Sequence, residues 1–273
     1  MRTLGRAGAV AGLVVAAVFP LFPLYWMTIS SLKSPAELSA IPPSWWPREL
    51  TFEAYSTVFD AVPFGRAFAN STLIAGLGTL SVLVTSVPAG YVFAKYRFPG
   101  RDALFWALVG TMFLPPIVTL VPLYWMVSSL GLADSYLGVL LPWLANPFGI
   151  FLMRQFCADV PDELIDAARV DGAGELRVLM RVVLPLLKPA TVTLAVFAFV
   201  YYWNSFLWPL SILQSDTKFP VVLSLAQLLT YASSVRYQSV VMAGALIASV
   251  PTIIVFLLTQ RVFIQSIART GVR

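Results

Sequence analysis

"DAARVDGAGELRVLMRVVLP", from Asp166 to Pro185, is a charged stretch in a chain that is otherwise apolar almost throughout. It holds three acids, three arginines, two glycines and a closing proline. Read with its flanks, 157–188, it has clear helix punctuation. Asp159 is placed to cap a helix start, with Pro161 tolerated in the first turn and Asp162 and Glu163 on the positive helix end. Leu164, Ile165 and Ala168 share one side by their three- and four-residue spacing. Asp171-Gly172 breaks this helix, because glycine takes the left-handed conformation readily. A second helix follows from about Gly174 to Val183, with Leu176, Leu179, Met180 and Val183 as its apolar face opposite Arg177 and Arg181. Pro185 ends or kinks it. The result is a bent arm, either a docking element or an amphipathic connector lying on lipid headgroups.

The rest of the chain decides where that arm sits. Of 273 residues, 59% are hydrophobic and 11% charged, and the mean hydropathy is +0.82. A soluble domain carries about 25% charged residues, so the composition defines an all-α integral membrane protein. A hydrocarbon core of about 30 Å takes roughly 20 apolar residues. Six stretches qualify, at approximately 8–30, 67–94, 103–127, 137–156, 189–213 and 238–260. Together they predict a single transmembrane domain over 1–273. The first stretch is too long for the apolar region of a signal peptide and reads as an uncleaved span.

With both termini on the cytoplasmic side, 13 of the 18 Lys and Arg residues fall inside, as the positive-inside bias requires. The net charge of +5 is then topology and attraction to lipid rather than a nucleic-acid surface. The arm 157–188 falls inside, between spans four and five. The loop 31–66, with its prolines and Trp45-Trp46, falls outside as an ordered interfacial cap or a plain connection with aromatic anchors.

Composition also narrows the energy source. The span interiors hold no ionisable residue except Arg154 at the end of the fourth, and the chain has no histidine. Proton-coupled carriers place such groups within their spans; a sodium site built from backbone carbonyls stays open. No phosphate-binding G-x-x-x-x-G-K-[ST] loop occurs. Cys157 is the single cysteine, which excludes an internal disulfide or a cysteine zinc site, and no paired acids or H-E-x-x-H offer intramembrane hydrolysis. Active transport by this chain therefore draws on a partner, and the arm is the internal element large enough to receive one. An ion-coupled carrier or passive channel is the alternative.

"DAARVDGA" followed by "VVLP" resembles the EAA loop of importer permeases of the ATP-binding-cassette type, E-A-A-x-x-x-G, nine residues, then I-x-L-P. Gly172 is followed by nine residues and then Val182-Val183-Leu184-Pro185. Asp166 stands where glutamate is usual and Val182 where isoleucine is usual. "NSTLIA" from Asn70, "YVFAKYRFPGR" from Tyr91, "YYWNSFLWPL" from Tyr201 and the C-terminal "QRVFIQSIARTGVR" extend the likeness to the carbohydrate-uptake branch, nearest the six-span permease of maltose-type importers. The C-terminal Gly271-Val272-Arg273 departs from that family's usual Lys-Gly ending.

The resemblance implies that the arm is a coupling helix seated in a cleft of a cytoplasmic ATPase dimer, which binds the ATP and magnesium; this chain binds no cofactor. Gly172 and its neighbours Asp171 and Ala173 would form the bend, Ala167 and Ala168 would allow close packing, Asp166 and Arg169 would pair across the interface, and Leu184 and Pro185 would close the motif. A second permease and an extracytoplasmic solute-binding protein complete the implied assembly in a bacterial-type cytoplasmic membrane. For the solute path the candidates are Tyr202, Trp203, Asn204, Phe206 and Trp208. Flat rings stack on sugar faces and the amide serves hydroxyls; the same residues would equally make aromatic packing. The lack of a cationic cluster in the spans favours a neutral sugar or polyol. Prolines 115, 116, 122, 142, 147 and 251 interrupt helices, for gating or for packing.

Overall fold

The computed structural model describes residues 2–231 and 237–270, with side chains apart from those of residues 2–11, 13–15, 17, 231 and 261–270. The described residues are helical, with no strand. In chain order the helices are α1 (Arg2–Ser31), α2 (Pro35–Leu38), α3 (Glu53–Ala61), α4 (Phe64–Lys95), α5 (Arg101–Thr111), α6 (Pro116–Ser129), α7 (Tyr136–Leu140), α8 (Pro147–Ala158), α9 (Asp162–Val170), α10 (Glu175–Val178), α11 (Leu184–Leu186), α12 (Lys188–Trp203), α13 (Leu207–Ile212), α14 (Val221–Tyr231) and α15 (Gln238–Thr270). The chain divides into two compact units, one of Met1–Arg66 with Val221–Val250, the other of Ala67–Pro220 with Pro251–Arg273.

In the first unit the segment after α1 is folded rather than a plain connection. Ser34 caps α2 by accepting from Glu37 N. Glu37 then accepts from Ser44 Oγ at 2.7 Å and from Arg48 N at 3.0 Å. Lys33 is buried, donating to Ser44 O and lying 5.0 Å from the centre of the Trp26 ring. Trp45 and Trp46 stay exposed, as interfacial anchors would.

The second unit shows how proline divides apolar sequence. Among the described residues, the unbroken helices long and apolar enough to cross a membrane are Phe64–Lys95 and Gln238–Gln260. The stretch 103–127 is not one rod: α5 and α6 meet at 101°. Pro115 and Pro116 lack amide donors, and each disfavours helix in the residue before it. The stretch 137–156 bends by 43° between Trp143 and Pro147. The stretch 189–213 breaks after Trp203, since a helix continued to Pro209 would drive its ring into the Ser205 carbonyl. Asn204 seals that end by donating Nδ2 to Val200 O at 2.9 Å.

Tight packing then fixes α4 against α8. A Cβ at Gly90 would lie 2.5 Å from Met153 Cβ and 2.8 Å from Arg154 N. Phe93, Phe105, Val109 and Ile150 are buried together beside this crossing, and the Arg154 guanidinium lies 4.0 Å over the Phe105 ring. At the other end of the unit, Asp134 accepts from Gln214 N, Ser215 N, Ser215 Oγ and Lys218 Nζ. Asn70 of α4 accepts from Tyr136 Oη at 2.8 Å and donates to Thr217 O and Phe219 O. These clamps order the segment 213–219.

Candidate functional site

The charged arm starts two residues later than the sequence suggests. Asp159 does not open the first arm helix; it is the C-cap of α8, and its N–H donates to Cys157 O. Pro161, extended at ψ 132°, precedes α9, because proline holds Val160 before it out of helical geometry. Asp162 and Glu163 occupy the first turn as expected. Ile165 is buried at 2% exposure, whereas Leu164 is exposed. Ala168 is half-buried and Ala167 exposed.

The bend at Gly172 is a built feature. Gly172 has φ +79°. Its N–H donates to Arg169 O, and the Ala173 N–H donates to Ala168 O, both at 3.0 Å. These two bonds are the paired closure of a Schellman turn, which satisfies carbonyls a helix end would otherwise leave open.

The second arm helix departs from a plain α-helix. Leu179–Val183 form a π turn between α10 and α11. Pro185 supplies no N–H and would press on the Arg181 carbonyl in an α-helix, and the wider turn relieves this. The register shifts accordingly. Val178, Leu179 and Val183 are buried, while Leu176 and Met180, expected on the inner face, are 74% and 53% exposed. Val170 is 87% exposed. The chain continues helical through Pro185 and turns by 86° only between Leu186 and Lys188.

The arm is fastened to the last turns of α4 at two points. Lys95 Nζ donates to Asp162 Oδ1 at 2.7 Å and to Val160 O at 2.5 Å. Arg169 donates to both Glu175 oxygens, Nε to Oε1 at 2.9 Å and Nη2 to Oε2 at 3.3 Å. Tyr96 Oη donates to Glu175 Oε2, and Tyr91 Oη reaches the same oxygen at 3.4 Å. Arg169 Nη1 also donates to Asp166 Oδ1 at 3.1 Å. The Arg169 guanidinium, and after it the Tyr96 hydroxyl, hold the Glu175 carboxyl below the ordinary glutamate range. Lys95 does the same for Asp162. A depressed carboxylate keeps its contribution at neutral pH and loses it as pH falls through its own lowered value.

Asp166 and Arg169, which the resemblance would pair across an interface, also pair with each other within this chain. Glu175, Tyr91, Tyr96 and Lys95 carry the fastening, and none stands out in the sequence as functional. Tyr91, Lys95 and Tyr96 lie in the stretch that carries part of the family likeness, and the spacing Tyr91-x3-Lys95 puts two polar ends on one face of a helix terminus.

The aromatic candidates divide by burial. Tyr202 donates to Trp143 O at 3.0 Å, with Gly78 close under its ring. Trp203 lies edge-on to Phe68 and stacks on Phe199. Trp208 donates Nε1 to Val139 O at 3.0 Å. All three are buried, and Phe206 is half-buried. Asn204 and the neighbouring Tyr201 remain exposed. Trp208→Phe is expected to leave the Val139 carbonyl without its donor, at about 1–3 kcal/mol. A lowered thermal midpoint of the detergent-purified protein checks this, and an unchanged midpoint would deny the bond its structural part. The tail Gly271-Val272-Arg273 lies outside the described residues.

Broken apolar helices and a stapled, glycine-turned arm suit a membrane transport permease, and the comparisons with known proteins supply that class and its family. The chain belongs to the binding-protein-dependent transport system inner membrane component family, whose profile matches residues 86–269. It is 31% identical over 261 residues to the sn-glycerol-3-phosphate transport system permease protein UgpE of Yersinia pestis bv. Antiqua (strain Antiqua), covering 93% of each chain. It is 33% identical over 257 residues to the arabinooligosaccharides transport system permease protein AraQ of Bacillus subtilis (strain 168), covering 93% of this chain and 90% of that one. Among solved structures it is similar to a chain of a bacterial ABC transporter that imports the acidic polysaccharide alginate, with TM-score 0.85, 27% identity, and 95% and 96% of the two chains covered. These curated relatives are named as permease proteins of transport systems.

Proposed function

We propose that this chain is the permease subunit of an ATP-driven importer for a sugar or related polyol. One permease domain over 1–273 spans the cytoplasmic membrane six times with both termini inside. It forms the solute pathway with a second permease, receives solute from an extracytoplasmic binding protein, and takes its energy from a separate ATPase dimer that holds the ATP and magnesium. The broken stretches 103–127, 137–156 and 189–213 each count as one bent span in this reading. The exposed Asn204 and Tyr201 are the side chains we assign to the solute path, with Tyr202, Trp203 and Trp208 as the packing behind them.

The observation that carries the reading is the apex of the arm. The Schellman turn at Gly172 projects Val170, Leu176 and Met180 outward from two short helices. Large aliphatics held exposed on an otherwise charged element suit insertion into a partner's cleft. Ala167, Ala168, Asp171 and Ala173 line the same apex, while Leu184 and Pro185 sit at its far root.

Affinity purification of the tagged chain from native membranes tests this. The wild type is expected to bring an ATPase and a second permease, and Val170→Asp with Leu176→Asp is expected to lose the ATPase more than tenfold while keeping the permease. A wild-type chain that purifies alone and moves solute in liposomes would instead establish the carrier or channel reading.

A further inference from the structure

We infer that Glu175 is a positioning residue that, with Tyr91, Tyr96 and the Lys95–Asp162 pair, locks the arm to α4 so that the two move as one lever. The inference rests on the importer reading and adds to it the route by which a push on the arm reaches a span.

The geometry is specific. One carboxylate collects donors from three places: Arg169 on α9, Tyr91 on α4 and Tyr96 just beyond it. A carboxylate offers about four acceptor sites, so Glu175 is close to saturated. The second fastening, Lys95 to Asp162 and Val160, lies at the start of α9. The two attachments therefore fall on either side of the turn 171–174 and both lead to the last turns of α4 and the residue after it. A single attachment is a pivot, because the arm could swing about it. Two attachments that straddle the docking turn remove that rotation. An isolated surface ion pair would contribute little, but here the Lys95 side chain is 8% exposed and the Arg169 guanidinium lies 5.8 Å from the Tyr96 ring, so the groups form a network of fixed geometry. Glu175→Gln removes the charge and turns one of the two acceptor oxygens into an NH2 donor facing the donors of Arg169, Tyr91 or Tyr96, whereas the apex residues that face a partner stay in place.

The test uses the complex as purified with its ATPase. A bimane fluorophore is attached at Leu80→Cys, an exposed position on α4; the native thiol, Cys157, is buried. In the Glu175 wild type, ATP with vanadate is expected to change the bimane emission. In Glu175→Gln the change is expected to shrink at least fivefold while the co-purified ATPase stays within twofold. Glu175→Asp, which keeps a carboxylate acceptor, is expected to retain at least half of the response. Hydrogen exchange on the same samples is expected to show amides 171–178 opening at least tenfold faster in Glu175→Gln. A full emission response in Glu175→Gln overturns the lever and leaves the importer reading intact. A wild-type complex with no nucleotide response overturns both. A Glu175→Asp response as weak as that of Glu175→Gln, with exchange at 171–178 unchanged in both, removes Glu175 from any positioning part.

Discussion

Gly172→Val is expected to reach the membrane in normal amount and to lose solute uptake at least tenfold. The reason is conformational. Gly172 sits at φ +79°, and nothing lies within 4 Å of the position a Cβ would take. Added bulk meets open space; what fails is the left-handed backbone, which costs an L-residue roughly 1–2 kcal/mol and suits a β-branched side chain least. About 1.4 kcal/mol is a tenfold change in a population, so the turn that orients Val170 and Leu176 becomes a minor state. The control is Gly172→Asn, since asparagine enters this region more readily and is expected to keep most uptake. Uptake by cells with matched membrane levels is the measurement. Equal losses in Asn and Val would mean that a partner surface, rather than the backbone, demands glycine here.

Gly90→Leu is expected to leave no folded protein. At the α4–α8 crossing even a Cβ would fall 2.5 Å from Met153 Cβ, 2.8 Å from Arg154 N and 2.9 Å from the Met153 carbonyl carbon. Backbone atoms cannot step aside as a flexible side chain does. Overpacking of ordinary cores costs about 1–3 kcal/mol, and helices in lipid associate through close packing at small residues, with little hydrophobic drive to compensate. Separating α4 from α8 would also withdraw Tyr91 and Lys95 from the arm. Size-exclusion profiles of a fluorescent fusion read the outcome: a lost monodisperse peak for Gly90→Leu, a reduced one for Gly90→Ala, and a normal one for Gly76→Leu, where nothing lies within 4 Å. A normal peak for Gly90→Leu would show that the helices do not cross here.

Local rules carried much of the structure. The helical class, the arm at 157–188 and the bend at Gly172 follow from hydropathy, the charged interruption and one glycine, all of which act within a few residues. What escaped depends on distance or on small changes of register. Glu175 meets Tyr91 and Tyr96 across 84 and 79 positions, and no local pattern announces that meeting. The π turn at Leu179–Val183 moves Leu176 and Met180 outward, because one residue of slack is enough to rotate a helix face. Asp159 could serve as the cap of either neighbouring helix, and the proline after Val160 decided for the earlier one. The aromatic run 201–208 is ambiguous for a chemical reason: a ring that can stack on a sugar can equally fill a core, and composition does not reveal the packing contacts that Tyr202 and Trp208 make through hydrogen bonds to distant carbonyls.

The three bent pairs and the break after Trp203 also sort the chain's surroundings. Hydrocarbon offers no donor to a carbonyl at a helix end, so irregular backbone at membrane depth has to be covered by protein or wetted by solvent. On the importer reading, the interruptions at 112–115, 144–146, 187 and 204–206 are expected on faces turned away from lipid wherever they fall at membrane depth, toward a neighbouring subunit or an aqueous path. Phe64–Lys95 and Gln238–Gln260 run on through Pro88 and Pro251, each of which withholds one amide donor, so the rest of their length is free to meet acyl chains. Continuity of the backbone thus acts as a compass, separating the greasy exterior of the assembly from its wet interior.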